Sequence, residues 1–141
     1  MLIKYFFIFL LFTIGCNSQG YKVTQGYKSN ELLLQLHNNE RNNDLVLSNN
    51  LNELAELHAA KMASKGRLKH QNMNVLLNDG WSSVGENIAK NQNNEYEVVQ
   101  AWMQSKGHRE NIQNQGFTHV GFGFSINENN DKYWCACFGG E

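Results

Sequence analysis

Proline is absent from this chain of 141 residues, so its turns must be made by other residues. Asparagine fills that place: there are 21, with clusters in NNERNN, SNNLN, NQNN and NENND. Asparagine tolerates left-handed backbone and makes local turn bonds; its abundance also fits drifting loop composition in an AT-rich genome. Cysteine is scarce, with three in all, and two of them, Cys135 and Cys137, stand two apart in YWCACF. In an extended strand such a pair shares one face with Cα atoms roughly 6.5–7 Å apart, at the outer limit for a bridge. That excludes a disulfide scaffold and predicts free thiols on one face. No cationic neighbour is placed to lower a thiol pKa, which argues against a thiolate nucleophile. A concentrated basic face is also missing: 12 Lys and Arg are scattered among 13 Asp and Glu. This argues against a nucleic-acid partner.

Long apolar runs are confined to the start, MLIKYFFIFLLFTIGC. One lysine, an unbroken apolar stretch and small residues near Gly15 give a secretory signal over residues 1–15, too short and wrongly flanked for a spanning helix. Cys16 in the next position suggests a bacterial lipoprotein, with Cys16 acylated as the first mature residue and anchoring the protein to the membrane. Thr13 and Ile14 depart from the leucine and small residue that would favour this. Loss of residues 1–15 removes Lys4, so 12 − 1 leaves 11 basic against 13 acidic side chains, a net charge of −2. The remaining length is that of one domain and can bury a core without crosslinks.

Residues 16–29 are polar and glycine-punctuated, the composition of a tether, and the domain follows over residues 30–141. A helix is predicted from a cap at Ser29 or Asn30 through SNELLLQLHNNERNN. A second begins near Asn50, with Leu51, Leu54, Ala55, His58, Ala59 and Met62 in one stripe, and ends at Gly66. RLKHQNMNVLLNDGWSSVGENIAK is mixed in pattern and reads as loops and short turns. A third helix starts near Asn94 and turns Trp102 inward; Gly107 interrupts it, and HRENIQN makes a short further helix. The tail alternates in Val120, Phe122, Phe124 and Ile126, then NENND, then KYWCACF, which is a hairpin. Helices first and strands last predict an α+β fold with helices packed on an antiparallel sheet.

Few residues are placed to carry chemistry. His70, Glu86 and His108 lie 16 and 22 residues apart, beyond any local metal motif such as HExxH. Each alone reads as a surface or turn residue. His108 enters a short helix, where the positive end of the dipole favours a neutral ring, the form a metal requires. His58 lies on an apolar stripe and reads as packing, whereas His37 and His119 read as surface. Ser105 has no placed partners for a triad, and no GxSxG is present.

The order NNER, LNELAELHAAKMA, KH, GENIA, AWMQSKGHRENI, GFTHVGFGFS and YWCACFG resembles the CAP superfamily. This superfamily comprises the cysteine-rich secretory proteins, antigen 5 and plant pathogenesis-related proteins, and the likeness is to its compact bacterial branch, over about residues 30–139. The resemblance implies a three-layer α-β-α sandwich with a cleft between helices and sheet. It matches His70, His108 and Glu86 to the cleft residues that in several members hold zinc or another divalent ion. Ser105 stands where animal and plant members carry a second glutamate. The implied function is an exported module binding a lipid, sterol, peptide or glycan. The alternative is a divalent-metal-dependent extracellular hydrolase with Glu86 as acid or base, because two imidazoles and one carboxylate leave a coordination position open to water.

Overall fold

The computed structural model describes residues 18–141, with side chains from residue 28 onward. The signal expected over residues 1–15 and the acylation expected at Cys16 lie outside these residues. The elements in chain order are α1 (Ser18–Asn38), β1 (Val46–Leu47), α2 (Asn49–Lys65), α3 (Asn74–Leu77), β2 (Ser83–Lys90), α4 (Glu95–Gln104), α5 (Lys106–Gln113), β3 (His119–Ile126) and β4 (Lys132–Gly140).

Local signals set most boundaries. Ser48 Oγ accepts from Leu51 N–H at the start of α2, and Gly66 ends it in the left-handed conformation, φ +62°. Asn94 Oδ1 accepts from Glu97 N–H at 2.9 Å, starting α4 at the expected place. By contrast, α1 begins at Ser18, before the cap expected at Ser29 or Asn30. Ser29 instead donates its hydroxyl to Glu95 Oε1 at 2.6 Å and ties α1 to α4. The break between α4 and α5 falls at Ser105, whose backbone is extended, rather than at Gly107.

The four strands lie in the order β1-β3-β4-β2, antiparallel except for the two-residue pairing of β1 with β3. Strand parity sorts the side chains into two cores. Tyr133, Cys135 and Cys137 of β4 and Ile88 of β2 pack on Leu51, Ala55, Ala59 and Met62 of α2. Trp134, Ala136 and Phe138 face the other way, with Val120 and Phe122 of β3, onto α1, α4 and α5. This is the three-layer α-β-α sandwich. Gly121 and Gly123 are required by it: a Cβ at either would strike the α2 backbone at Leu51–Asn52 or Ala55–Glu56.

Two expectations are corrected here. SVGENIAK, read as loop, is strand β2, paired along its whole length with β4. Five of its consecutive residues, Gly85 to Ala89, are buried; a strand covered on both faces loses the alternation that marks strands in sequence. His37, read as surface, is fully buried. Its ring lies 4.8 Å from Phe122 and 5.7 Å from Trp102 between centroids. The hairpin is present, but Phe124 and Ile126 stay exposed at its far end.

Candidate functional site

Strand β2 is an edge of the sheet, so the segment after α2 on one face and α5 on the other can meet around it. Glu86 is on the α2 side of β2, directly opposite Cys137 of β4. Its side chain is only 1% exposed. Burial of a carboxylate demands partners, and the segment after Gly66 supplies them. His70 Nδ1 lies 2.7 Å from Glu86 Oε1, and Gln71 N–H donates to the same oxygen at 3.2 Å. Gln71 Nε2 donates to Oε2 at 2.6 Å. The segment is itself anchored, since the His58 ring bonds Lys69 O through Nε2 at 2.8 Å. His58 therefore does more than pack: that nitrogen is also 3.7 Å from Glu86 Oε2.

His108 comes from the opposite side, in the first turn of α5. Two asparagines hold that turn against β2. Asn87 Nδ2 donates to His108 O at 3.0 Å, and Asn111 Nδ2 donates to Asn87 Oδ1 at 2.9 Å and Glu86 O at 3.2 Å. The His108 pKa is lowered, first by burial and then by the charge of His70. Both effects favour the neutral ring of His108.

The structure joins His70 to Glu86 by a hydrogen bond and brings His108 within electrostatic reach of His70. Among the described residues His108 makes no ring hydrogen bond. His70 holds Nδ1 against Glu86 while its side chain is 57% exposed. A carboxylate on one ring nitrogen fixes the other, Nε2, as the free ligand atom, an arrangement typical behind metal-bound histidines. The donor types suit a divalent ion, but among the described residues the ligand atoms of His70, His108 and Glu86 do not all lie within 4.8 Å of one another.

Beside His70 is a cavity of about 420 Å³ between the end of α2 and the following segment. Lys61, Lys65, Arg67 and Lys69 line it with His58 and His70, and no acidic side chain does. Sequence reading missed Gln71, the two asparagines, and the closeness of Cys135 and Cys137 to Glu86. Reading SVGENIAK as a strand would have exposed the last of these, because pairing with YWCACF sets Glu86 against a cysteine.

The model of the cysteine-rich secretory protein family matches residues 34–138. YkwD of Bacillus subtilis (strain 168) is 36% identical in an alignment of 104 residues that covers 65% of this chain and 40% of that protein. The chain thus spans well under half of this curated relative. Among solved structures, an outer surface protein from Borrelia burgdorferi superposes with a TM-score of 0.68 at 18% identity, covering 88% of this chain and 94% of that one. An extracellular protein containing a SCP domain from Bacillus anthracis str. Ames gives 0.68 at 21% identity, over 82% and 41%. NaASP2 with Zn2+ gives 0.62 at 13% identity, over 79% of each chain. At these identities the likeness to solved structures is one of fold.

Proposed function

Because the chain belongs to the cysteine-rich secretory protein family, matched over residues 34–138, we propose that it is an exported ligand-binding module with a divalent-metal-capable cleft. The observation that carries this reading is the His70–Glu86 pair, in which a buried carboxylate holds Nδ1 and leaves Nε2 free. His70 and His108 would hold the ion, zinc or another divalent metal, and Glu86 would orient His70 and complete the negative side of the site. An ion there would supply a Lewis acid to a ligand oxygen or to water.

The ligand belongs among lipids, sterols, peptides and glycans, and the cationic wall of the neighbouring cavity favours an anionic one. Export agrees with the apolar start of the sequence, and acylation of Cys16 would add a membrane anchor. Two of the fold relatives are named as an outer surface and an extracellular protein, which supports the same placement. The hydrolase alternative finds less support. Glu86 is buried and both its oxygens accept hydrogen bonds, a poor setting for a group that must exchange protons with substrate.

Zinc titration of the full-length chain, followed by thermal melting, tests the metal reading. Binding to the folded state alone should raise Tm by mass action, and in protein already carrying Cys135→Ala and Cys137→Ala, where no thiol near Glu86 can take the ion, His70→Ala with His108→Ala should remove the rise. Equal stabilisation of that protein with and without the two histidines would put the ion elsewhere. Mass spectrometry of protein purified without chelator would report both the native metal and any co-purified anionic ligand.

A further inference from the structure

A second set of ligand atoms lies on the other side of the same carboxylate. Glu86 turns Oε1 to His70, whereas Oε2 lies 3.8 Å from Cys135 Sγ. Cys135 Sγ and Cys137 Sγ are 3.7 Å apart, both residues are buried, and neither is in a disulfide. Ligand atoms of Glu86, Cys135 and Cys137 all lie within 4.8 Å of one another. We propose that these three residues form a binding site for a thiophilic d10 ion, zinc in the first place, buried between the sheet and α2.

The spacing suits that chemistry. Two sulfurs each about 2.3 Å from zinc at the tetrahedral angle are about 3.7–3.8 Å apart. Strand geometry sets the pair in advance, since i and i+2 of β4 share a face and Glu86 is the cross-strand neighbour of Cys137. Gln71 Nε2 lies 2.6 Å from Glu86 Oε2 and 3.4 Å from Cys137 Sγ. One amide therefore presents hydrogens to two of the three ligands, as an orienting outer group does. His58 Nε2 is committed to Lys69 O, so the protein provides three ligands and leaves a fourth position for water.

Binding breaks two S–H bonds and forms two metal–sulfur bonds; both protons pass to solvent. The thiolates and the carboxylate carry three negative charges against two positive charges on the ion. One negative charge remains, faced by the Gln71 amide hydrogens, and Gln71 also borders the adjoining cavity. Gln71 therefore separates the cavity from the sulfurs, and its movement would open the route for the ion. The site does not depend on His70 and His108.

Cadmium is the probe, because cadmium–thiolate bonds give an ultraviolet charge-transfer band that imidazole and carboxylate do not. The full-length chain carrying Cys16→Ala, kept reduced, should develop this band to saturation with one equivalent of Cd2+ and release two protons per ion. Zinc should abolish the band by competition. Cys135→Ala and Cys137→Ala should each remove it, and His70→Ala with His108→Ala should leave it in place. No band in the Cys16→Ala protein would overturn the proposal without any question of misfolding. So would a band that persists without Cys135 and Cys137, or a Cys135–Cys137 disulfide in protein recovered from the exporting cell.

Discussion

Asn111 donates a hydrogen bond to Asn87 at 2.9 Å, so the asparagine of GHRENI grips the asparagine of GENI. The two motifs of the proposed site are joined by the asparagine that each contains. Asn87 is fully buried and also donates to His108 O. Replacing it by leucine should take the side-chain donor from that carbonyl and leave the Asn111 amide with its bond to Glu86 O alone. A loss of about 1–3 kcal/mol is expected from the two hydrogen bonds removed. Urea denaturation of Asn87→Leu would measure it. A loss below about 1 kcal/mol would mean that water replaces both bonds and that the α5 turn is not held by them.

Arg41 closes the other end of α5. Its guanidinium donates to Asn114 O at 2.8 Å and Phe117 O at 2.7 Å, to Ile112 O through Nη1, and to Asn43 O through Nε at 2.9 Å. A planar fork with five donors can serve carbonyls in several directions, and an ammonium on a flexible stem cannot. Arg41→Lys should therefore cost about 1–3 kcal/mol despite conserving charge. The zinc-dependent rise in Tm should also shrink, because α5 carries His108. Wild-type behaviour in both measurements would sink the idea that Arg41 fixes α5.

How much of this was visible in the chain depended on whether the signal was local. Ser48, Gly66 and Asn94 act within one helical turn, so α2 and α4 were placed almost to the residue. The strand β2 was not, because burial on both faces erases alternation and Gly85 and Asn87 look like turn residues. The burial of His37 depends on Phe122 and Trp102, far along the chain. His70, Glu86 and His108 were placed by resemblance; spacing alone could not join residues 16 and 22 apart. The parity of β2 and β4, once known, yields the Glu86–Cys137 pairing without further information.

The hydrogen bond from His70 to Glu86 makes a prediction about affinity. Glu86→Gln keeps shape and exchanges a charged acceptor for a neutral one. Loss of a carboxylate behind a histidine ligand typically weakens metal binding about 10–100-fold. Calorimetric titration with zinc should show that loss in Glu86→Gln protein carrying Cys135→Ala and Cys137→Ala, where only the imidazole site remains. Unchanged affinity would mean that the ion, if bound there, does not use a His70 oriented by Glu86.

His37 governs the response to acid. Burial lowers its pKa from 6.5 to about 4, the Arg41 charge acts in the same direction, and the bond to Leu33 O opposes both. Nδ1–H donates to Leu33 O at 2.7 Å, and Nε2 is buried without a partner among the described residues, so a proton arriving there would stand among Trp102, Phe122 and Phe138. The folded pKa is below the unfolded one, so the unfolded chain takes up the proton first as pH falls. The contribution to stability is complete above about pH 6.5, declines between there and pH 4, and levels off once both states are protonated. A shift of this size corresponds to about 3 kcal/mol. His37→Leu removes the titrating group and keeps the site apolar. Its stability at pH 7 should change by no more than about 2 kcal/mol, because one ring bond is lost and one orphaned nitrogen goes with it. Between pH 6.5 and 4 it should lose about 3 kcal/mol less than wild type. Urea denaturation across that range would separate the two proteins, and parallel curves would mean that His37 accepts its proton without leaving the core.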